Sequence, residues 1–204
     1  MSESFSIPAA ELVFEEEIKH SRFISLLFHC QSAEDFRCTL KDIRQRYPGA
    51  THYCQAFVAG RPGDTMMVGF SDDGEPAGSA GRPMLAVLQG SGIGEIGAVV
   101  VRYYGGIKLG VGGLVRAYAS GLKQALPQLT TAQKLLRYPA SIECDYAMLR
   151  DVEYMIERHQ GVITHRDFGG AVALKFELPA SQRVELNQQL ATVSQGAVQA
   201  RFDQ

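Results

Sequence analysis

Val172, Leu174, Phe176 and Leu178 alternate with Ala173, Lys175 and Glu177. That period of two predicts a strand with one buried face and one wet face. Val162–Phe168 precedes it across Gly169-Gly170, the signal of a two-residue hairpin. Between Tyr146 and His159 the period changes. Leu149, Val152 and Ile156 fall on one helical face, and Gly161 stands just past the helix end. A strand over Leu136–Cys144, a helix over Ser181–Val193 and a last strand over Ala197–Phe202 complete a βαββαβ order, the split-βαβ pattern of ferredoxin-like domains.

The earlier part of the chain reads as mixed α/β. Glu11–Glu15 and Arg22–His29 predict two strands. Ser32 caps a helix running to about Tyr47, with Asp35 at its third position and Pro48-Gly49 as the stop. His52–Ala59 predicts a strand, Gly60–Gly63 a turn and Met66–Phe70 a short strand. A helix is expected over Ser79–Leu88, with Pro83 blurring its start, then a strand apolar enough to be central over Ala98–Tyr104 and a helix over Leu114–Leu126.

Glycine placement suggests where the chain divides. Of 21 glycines in 204 residues, 16 lie between Gly60 and Gly121. The seam is expected between Pro127 and Pro139, since both prolines discourage a continuous helix. The domains are therefore drawn as 1–131 and 136–204. Charge does not separate them: the first carries 12 basic and 13 acidic residues to residue 131, and the remainder 8 and 9.

The net charge is −2, so no global cationic field steers the chain to nucleic acid or membrane, and a nucleic-acid site must be a local patch. Hydrophobic residues make up 46%, yet no run approaches the roughly 18 residues of a membrane span. Met1–Pro8 has neither a basic n-region nor an apolar h-region, so no signal peptide is expected. Cys30, Cys38, Cys54 and Cys144 lack CxxC spacing and are expected to be small buried hydrophobes in a reducing cytoplasm.

Three segments can carry chemistry. Arg102–Tyr118 runs from a buried-looking strand through a loop holding Gly105, Gly106, Gly110, Gly112 and Gly113 into a helix. Glycines allow close backbone approach, a helix start offers free N–H groups to an anion, and Arg102, Lys108 and Arg116 add positive charge. Tyr103 and Tyr104 can stack on bases or a sugar face. The spacing is neither a Walker loop nor the usual dinucleotide fingerprint, and glycines serving only tight strand–helix packing explain it equally well. Ser71-Asp72-Asp73-Gly74-Glu75-Pro76 sets three carboxylates within four residues, which repel unless a cation, an arginine or water intervenes. Mg²⁺ suits such a set, and an ordinary solvated turn suits it at least as well. Lys19–Phe23 with His52 and Cys54 permits a hydrolase triad or a thiol nucleophile to be drawn, but no GxSxG elbow surrounds Ser21 and nothing marks Cys54 as activated.

Taken together, Ser71–Leu85 and Val99–Tyr118, with Lys19–Ile24 and the His52/Cys54 segment, resemble the IMPACT family over essentially the whole chain. His20 intrudes between the Lys and the Ser-Arg-Phe run, and Ser79 replaces the usual Thr. The resemblance implies a ribosomal-protein-S5 domain-2-like α/β sandwich followed by a ferredoxin-like domain, a pair similar to the consecutive C-terminal domains of elongation factor G. It also implies a link to translation: the eukaryotic relative restrains the amino-acid-starvation kinase acting on translation initiation by competing for its activator. The family motifs fall on Ser21, Arg22, His52, Ser71, Asp72, Asp73, Gly74, Glu75, Arg102, Tyr103, Tyr104, Gly105, Gly106, Lys108, Gly110, Gly112, Gly113 and Arg116. None is designated catalytic.

The expectation is therefore a cytoplasmic, translation-linked regulator that binds RNA, the ribosome or a translation factor through the two motif segments. No DNA specificity and no membrane contact are expected, a small-molecule ligand is unassigned, and no cofactor is required. The alternative is a phosphate-ligand-binding protein or enzyme in which the glycine-rich loop works with Mg²⁺ on the acidic segment, provided the two lie side by side. A third reading is a protein–protein module presenting the open sheet face that carries Lys175 and Glu177.

Overall fold

The computed structural model describes residues 3–202. Met1 and Ser2, where the leader expectation begins, and Asp203 and Gln204, at the end of the second domain, lie outside the described residues. Among the described residues two compact units emerge, residues 5–134 and residues 3–4 with 135–202.

The larger unit is built on a five-stranded antiparallel sheet of order β2-β3-β6-β4-β5. Its strands are β2 (Leu12–Ile18), β3 (Ser21–His29), β4 (His52–Val58), β5 (Val68–Ser71) and β6 (Ile96–Tyr103). Central β6 is buried on both faces. Ala98 and Val100 pack with Met84, Leu88, Leu114 and Leu122 of α2 (Gly81–Gly90) and α3 (Val111–Ala125), whereas Val99 and Val101 pack with Phe36 and Ile43 of α1 (Ala33–Arg46). A strand covered by helices on both sides reads as a continuous apolar run, which is how Val99-Val100-Val101 appears in the sequence. α1 starts as expected: Ser32 Oγ accepts from the Asp35 N–H at 3.1 Å, and the Asp35 carboxylate reaches back to the Gln31 N–H.

Two strands were absent from the sequence reading. β1 (Ser4–Pro8) pairs with β7 (Thr131–Leu135) in a two-stranded sheet. Proline spacing marked 127–139 only as a seam, because short strands with half-exposed residues leave little periodic signal. A 3-10 turn over Leu126–Gln128 ends α3 there. The helix starts are corrected too. α3 begins at Val111, three residues early, since Gly112 and Gly113 are tolerated in its first turn. α2 begins at Gly81, and Pro83 sits in its first turn, where its missing N–H has no partner to lose.

The smaller unit has the expected split-βαβ order. Its four-stranded sheet runs β11-β8-β10-β9, from β8 (Tyr138–Cys144), β9 (Val162–Phe168), β10 (Val172–Leu178) and β11 (Arg201–Phe202). One sheet face buries Ile142, Val172, Leu174 and Phe176 with Val152 and Ile156 of α4 (Leu149–Arg158) and Leu186 and Leu190 of α5 (Arg183–Val193). The β9–β10 hairpin departs from the two-residue expectation: Phe168 pairs with Val172, leaving Gly169, Gly170 and Ala171 in the turn. Only Arg201 and Phe202 of the last expected strand pair with β8.

Candidate functional site

The acidic segment follows β5 and crosses the start of α2. A Cβ on Gly81 would lie 2.8 Å from the Ser71 backbone, so the two segments touch at a position only glycine fills. α2 has no side-chain cap of its own. The Asp72 carboxylate supplies it, accepting from the N–H groups of Gly78, Ala80 and Gly81 at 2.8 to 2.9 Å. Burial pulls the Asp72 carboxyl upward, but those three N–H donors outweigh it and hold the group below its ordinary value.

Its neighbours turn elsewhere. Asp73, at φ +45°, accepts from the Tyr53 N–H of β4 at 2.7 Å and from Arg44 of α1 at 2.8 Å. Ser71 Oγ accepts from the Asp73 N–H. Glu75 points inward and is buried. Arg102 Nη1 lies 2.5 Å from Glu75 Oε1, and the Tyr118 hydroxyl donates to the same oxygen at 2.7 Å. His52 Nε2 is 3.8 Å from Glu75 Oε2, while its Nδ1 is 2.8 Å from the Asp73 carbonyl oxygen. The three carboxylates thus relieve their repulsion by separating to distinct protein donors. Among the described residues, no group of three or more His, Cys, Asp or Glu side chains is placed to hold a metal ion.

Ser21 and Cys54 join this buried polar cluster. Ser21 Oγ accepts from the Gly105 N–H at 3.1 Å and lies 3.4 Å from Arg102 Nη2. Cys54 Sγ contacts the Asp72 carbonyl at 3.0 Å, and burial, reinforced by Glu75 and the neighbouring aspartates, pushes its thiol up to about 12. Burial likewise raises the Tyr118 hydroxyl, with Cys54 and Glu75 adding to the effect. Burial thus keeps the Cys54 thiol protonated near neutral pH, and Ser21 Oγ ties the Gly105 N–H and Arg102 into the cluster. Cys38 corrects the expectation of four buried thiols, for it is exposed on α1.

The glycine-rich loop meets this cluster on one side and solvent on the other. Ile18 pairs with Ser21 across a two-residue turn in which Lys19 and His20 take φ of +47° and +62° without a glycine. Gly105 packs on that turn so closely that a Cβ would meet the His20 carbonyl oxygen at 1.9 Å. Arg22 is exposed and paired with Glu15, with its guanidinium 5.7 Å from the Tyr103 ring centre. Tyr103 donates its hydroxyl to the Pro48 carbonyl, and burial raises that hydroxyl. Tyr104 is 45% exposed, with its ring 5.4 Å from the Arg102 guanidinium.

Beyond Gly106, at φ +87°, the chain becomes a cationic rim. Gly110 is the N-cap of α3 at φ +74° and offers no side-chain cap, so the first-turn N–H groups lack a side-chain acceptor. Lys108 and Arg116 are both exposed, and Arg116 Nε donates to the Gly112 carbonyl. A cavity of about 310 Å³ lies beside them, lined by Ile18, Lys19, Leu109, Gly113, Arg116, Ala117 and Ser120.

The predicted site residues therefore fall into two sets. Ser21, His52, Ser71, Asp72, Asp73, Glu75, Arg102 and Gly105 hold segments together from within, while Tyr104, Gly106, Lys108, Gly110, Gly112 and Arg116 form the exposed rim; Arg22 is exposed on β3, and Tyr103 and Gly113 are half-buried. Sequence reasoning missed Arg44, and took Lys19 and Tyr118 only as the ends of candidate segments, with no role of their own. Tyr118 was detectable: it shares an α3 face with Leu114, Ala117, Gly121 and Leu122, and a tyrosine on an apolar face needs a partner for its hydroxyl. Nothing local links Arg44 to Asp73 or Lys19 to Arg116.

The Impact N-terminal domain model matches residues 19–126, and a domain of unknown function, DUF1949, matches residues 142–197. The chain is 49% identical over 197 residues to the IMPACT family member YigZ of Escherichia coli K12, covering 97% of each chain. It is 51% identical over 170 residues to an IMPACT family member of Haemophilus influenzae, covering 83% of this chain and 82% of the relative. A crystal structure described only as that of a hypothetical protein superposes with a TM-score of 0.85 at 47% identity, covering 100% of this chain and 99% of the other.

Proposed function

The chain belongs to the IMPACT family, and from that premise we propose that it acts in translation by binding RNA phosphates, on or off the ribosome, at the rim of the glycine-rich loop. The observation that carries this reading is the uncapped N-terminus of α3 flanked by exposed Lys108 and Arg116, with Lys19 across a cavity of about 310 Å³. Free N–H groups and the helix dipole favour an anion there, and the three exposed cations extend the attraction along a strand. Exposed Tyr104 offers a ring on which an unpaired base stacks. Arg102 contributes indirectly: buried against Glu75, it fixes the end of β6 from which the loop departs.

The reading with Mg²⁺ on the acidic segment has less support, because Asp72, Asp73 and Glu75 are each occupied by protein donors. The test is co-sedimentation with ribosomes across a salt series, comparing wild type with a Lys19→Ala/Lys108→Ala/Arg116→Ala variant. The reading expects wild-type pelleting that falls steeply with salt, with a shallower slope for the variant. Salt-insensitive pelleting, or none at low salt, counts against it, and nucleotides with Mg²⁺ become the next ligands to titrate.

A further inference from the structure

We propose that the open face of the smaller unit's sheet binds a short zwitterion, an α-amino acid or a short peptide with free ammonium and carboxylate groups. The face forms a cavity of about 540 Å³. Its floor is made of small side chains, Ser141 on β8 and Ala171 and Ala173 on and beside β10, with charged side chains at its two ends. Strand register fixes that arrangement. Arg201 pairs with Ser141, and Ser141 with Lys175, so two cations flank one row of the sheet. Two residues along, Glu143 pairs with Ala173, and Asp145 follows a further two residues on, beside Ala171.

Lys175 and Glu143 are diagonal neighbours of opposite charge, roughly 7–8 Å apart between backbones and within side-chain reach. Yet among the described residues Lys175, Arg201, Glu143 and Asp145 enter no ion pair and no side-chain hydrogen bond. All four are exposed. The charges stay separated across a floor with nothing to fill it, a solvated surface with both signs sorted to opposite ends. A polyanion meets repulsion from Glu143 and Asp145, and a polycation from Lys175 and Arg201, whereas a zwitterion satisfies both ends. Rows two residues apart lie about 6.7 Å from one another. That is the spacing of the backbone rows; the Lys175, Arg201 and Glu143 side chains reach in from them, so that their charged heads engage the carboxylate and the ammonium of one small zwitterion. Asp145, a row further, suits the ammonium of a peptide of two or three residues.

The test is titration of the full-length, ¹⁵N-labelled protein with L-alanine, L-glutamine, L-phenylalanine and triglycine, and with N-acetyl-L-alanine and L-alaninamide as blocked analogues. The expected result is saturable shifts of the Ser141, Ala173 and Lys175 amides with at least one free zwitterion. Acetylation of the ammonium or amidation of the carboxylate should weaken binding about tenfold or more, as should Lys175→Ala/Arg201→Ala and Glu143→Gln. These positions are exposed, so the variants should keep the wild-type circular dichroism and amide spectrum elsewhere. Binding by amino acids assigns the pair of rows, and binding by triglycine alone assigns the longer span to Asp145. Absence of saturable shifts up to about 10 mM ligand, equal binding of the blocked analogues, or shifts confined to residues 5–134 overturns the proposal. Shifts in the wild type are informative even if a variant fails to fold.

Discussion

Arg102 Nη1 stands 2.5 Å from Glu75 Oε1, and both side chains are buried. The pair joins the acidic segment to the end of β6, two stretches 27 residues apart, and Tyr118 of α3 closes on the same carboxylate oxygen. Three elements that carry family motifs thus meet at one oxygen. Removing one partner leaves the other as an unpaired buried charge, which costs far more than the net worth of the pair.

Glu75→Gln and Arg102→Ala are therefore each expected to destabilise the larger unit by about 3–5 kcal/mol, and Tyr118→Phe by about 1 kcal/mol. The double variant Glu75→Gln/Arg102→Met should lose less than the sum of the singles. Urea unfolding followed through the β6 amide signals checks this. Losses below about 1 kcal/mol for both single charge variants would remove the scaffold role.

Asp72 should make the larger unit acid-sensitive. Its folded carboxyl titrates below the unfolded value, so its contribution to stability is present above the ordinary Asp range and is lost as pH falls through the folded value. Asp72→Asn is expected to cost about 1–2 kcal/mol at neutral pH and to flatten the fall in stability below about pH 4. Thermal melts of both proteins between neutral pH and about pH 3 give the comparison; parallel curves would contradict the capping role.

The loop glycines should respond differently to alanine. Gly105→Ala drives a Cβ into the His20 carbonyl, so the strained Lys19-His20 turn or the loop must move, at about 1–3 kcal/mol. Gly112 has no heavy atom within 4 Å of an added Cβ and lies in the first turn of α3, so Gly112→Ala should stabilise by about 0.4–1 kcal/mol. Denaturation midpoints of the two variants should move in opposite directions.

Thiol accessibility gives a further check. Cys38 is exposed, whereas Cys30, Cys54 and Cys144 are buried, and burial pushes the thiols of Cys30 and Cys54 up to about 12. An aromatic disulfide reagent should titrate one thiol rapidly in the native protein and the other three only after denaturation. Cys38→Ser should abolish the rapid phase.

The family motifs were legible in the sequence, but their division of labour was not. Arg102 and Lys108 belong to one glycine-rich motif and look like equivalent cations. Only β6, buried on both faces, turns the first inward to Glu75 while the loop carries the second outward. Asp72, Asp73 and Glu75 likewise look like one acidic group, and the backbone between β5 and α2 aims them in three directions.

What the sequence determined by itself was local and periodic. Alternation of Val172, Leu174, Phe176 and Leu178 made β10, the Ser32 cap made the start of α1, and the Val99–Val101 run announced a strand covered on both faces. These depend on residues within a few positions of one another, where propensity and burial pattern act directly. Tertiary structure decided the rest. The β1–β7 pairing joins segments more than a hundred residues apart and leaves almost no periodic trace. The capping of α2 by Asp72, the Arg44–Asp73 ion pair, the contact of Gly105 with the Lys19-His20 turn and the placing of Lys19 and Arg116 around one cavity all arise from elements that approach only when the sheet assembles. A side chain's partner across such distances is set by strand order and helix placement, and the spacing of residues along the chain does not encode either one.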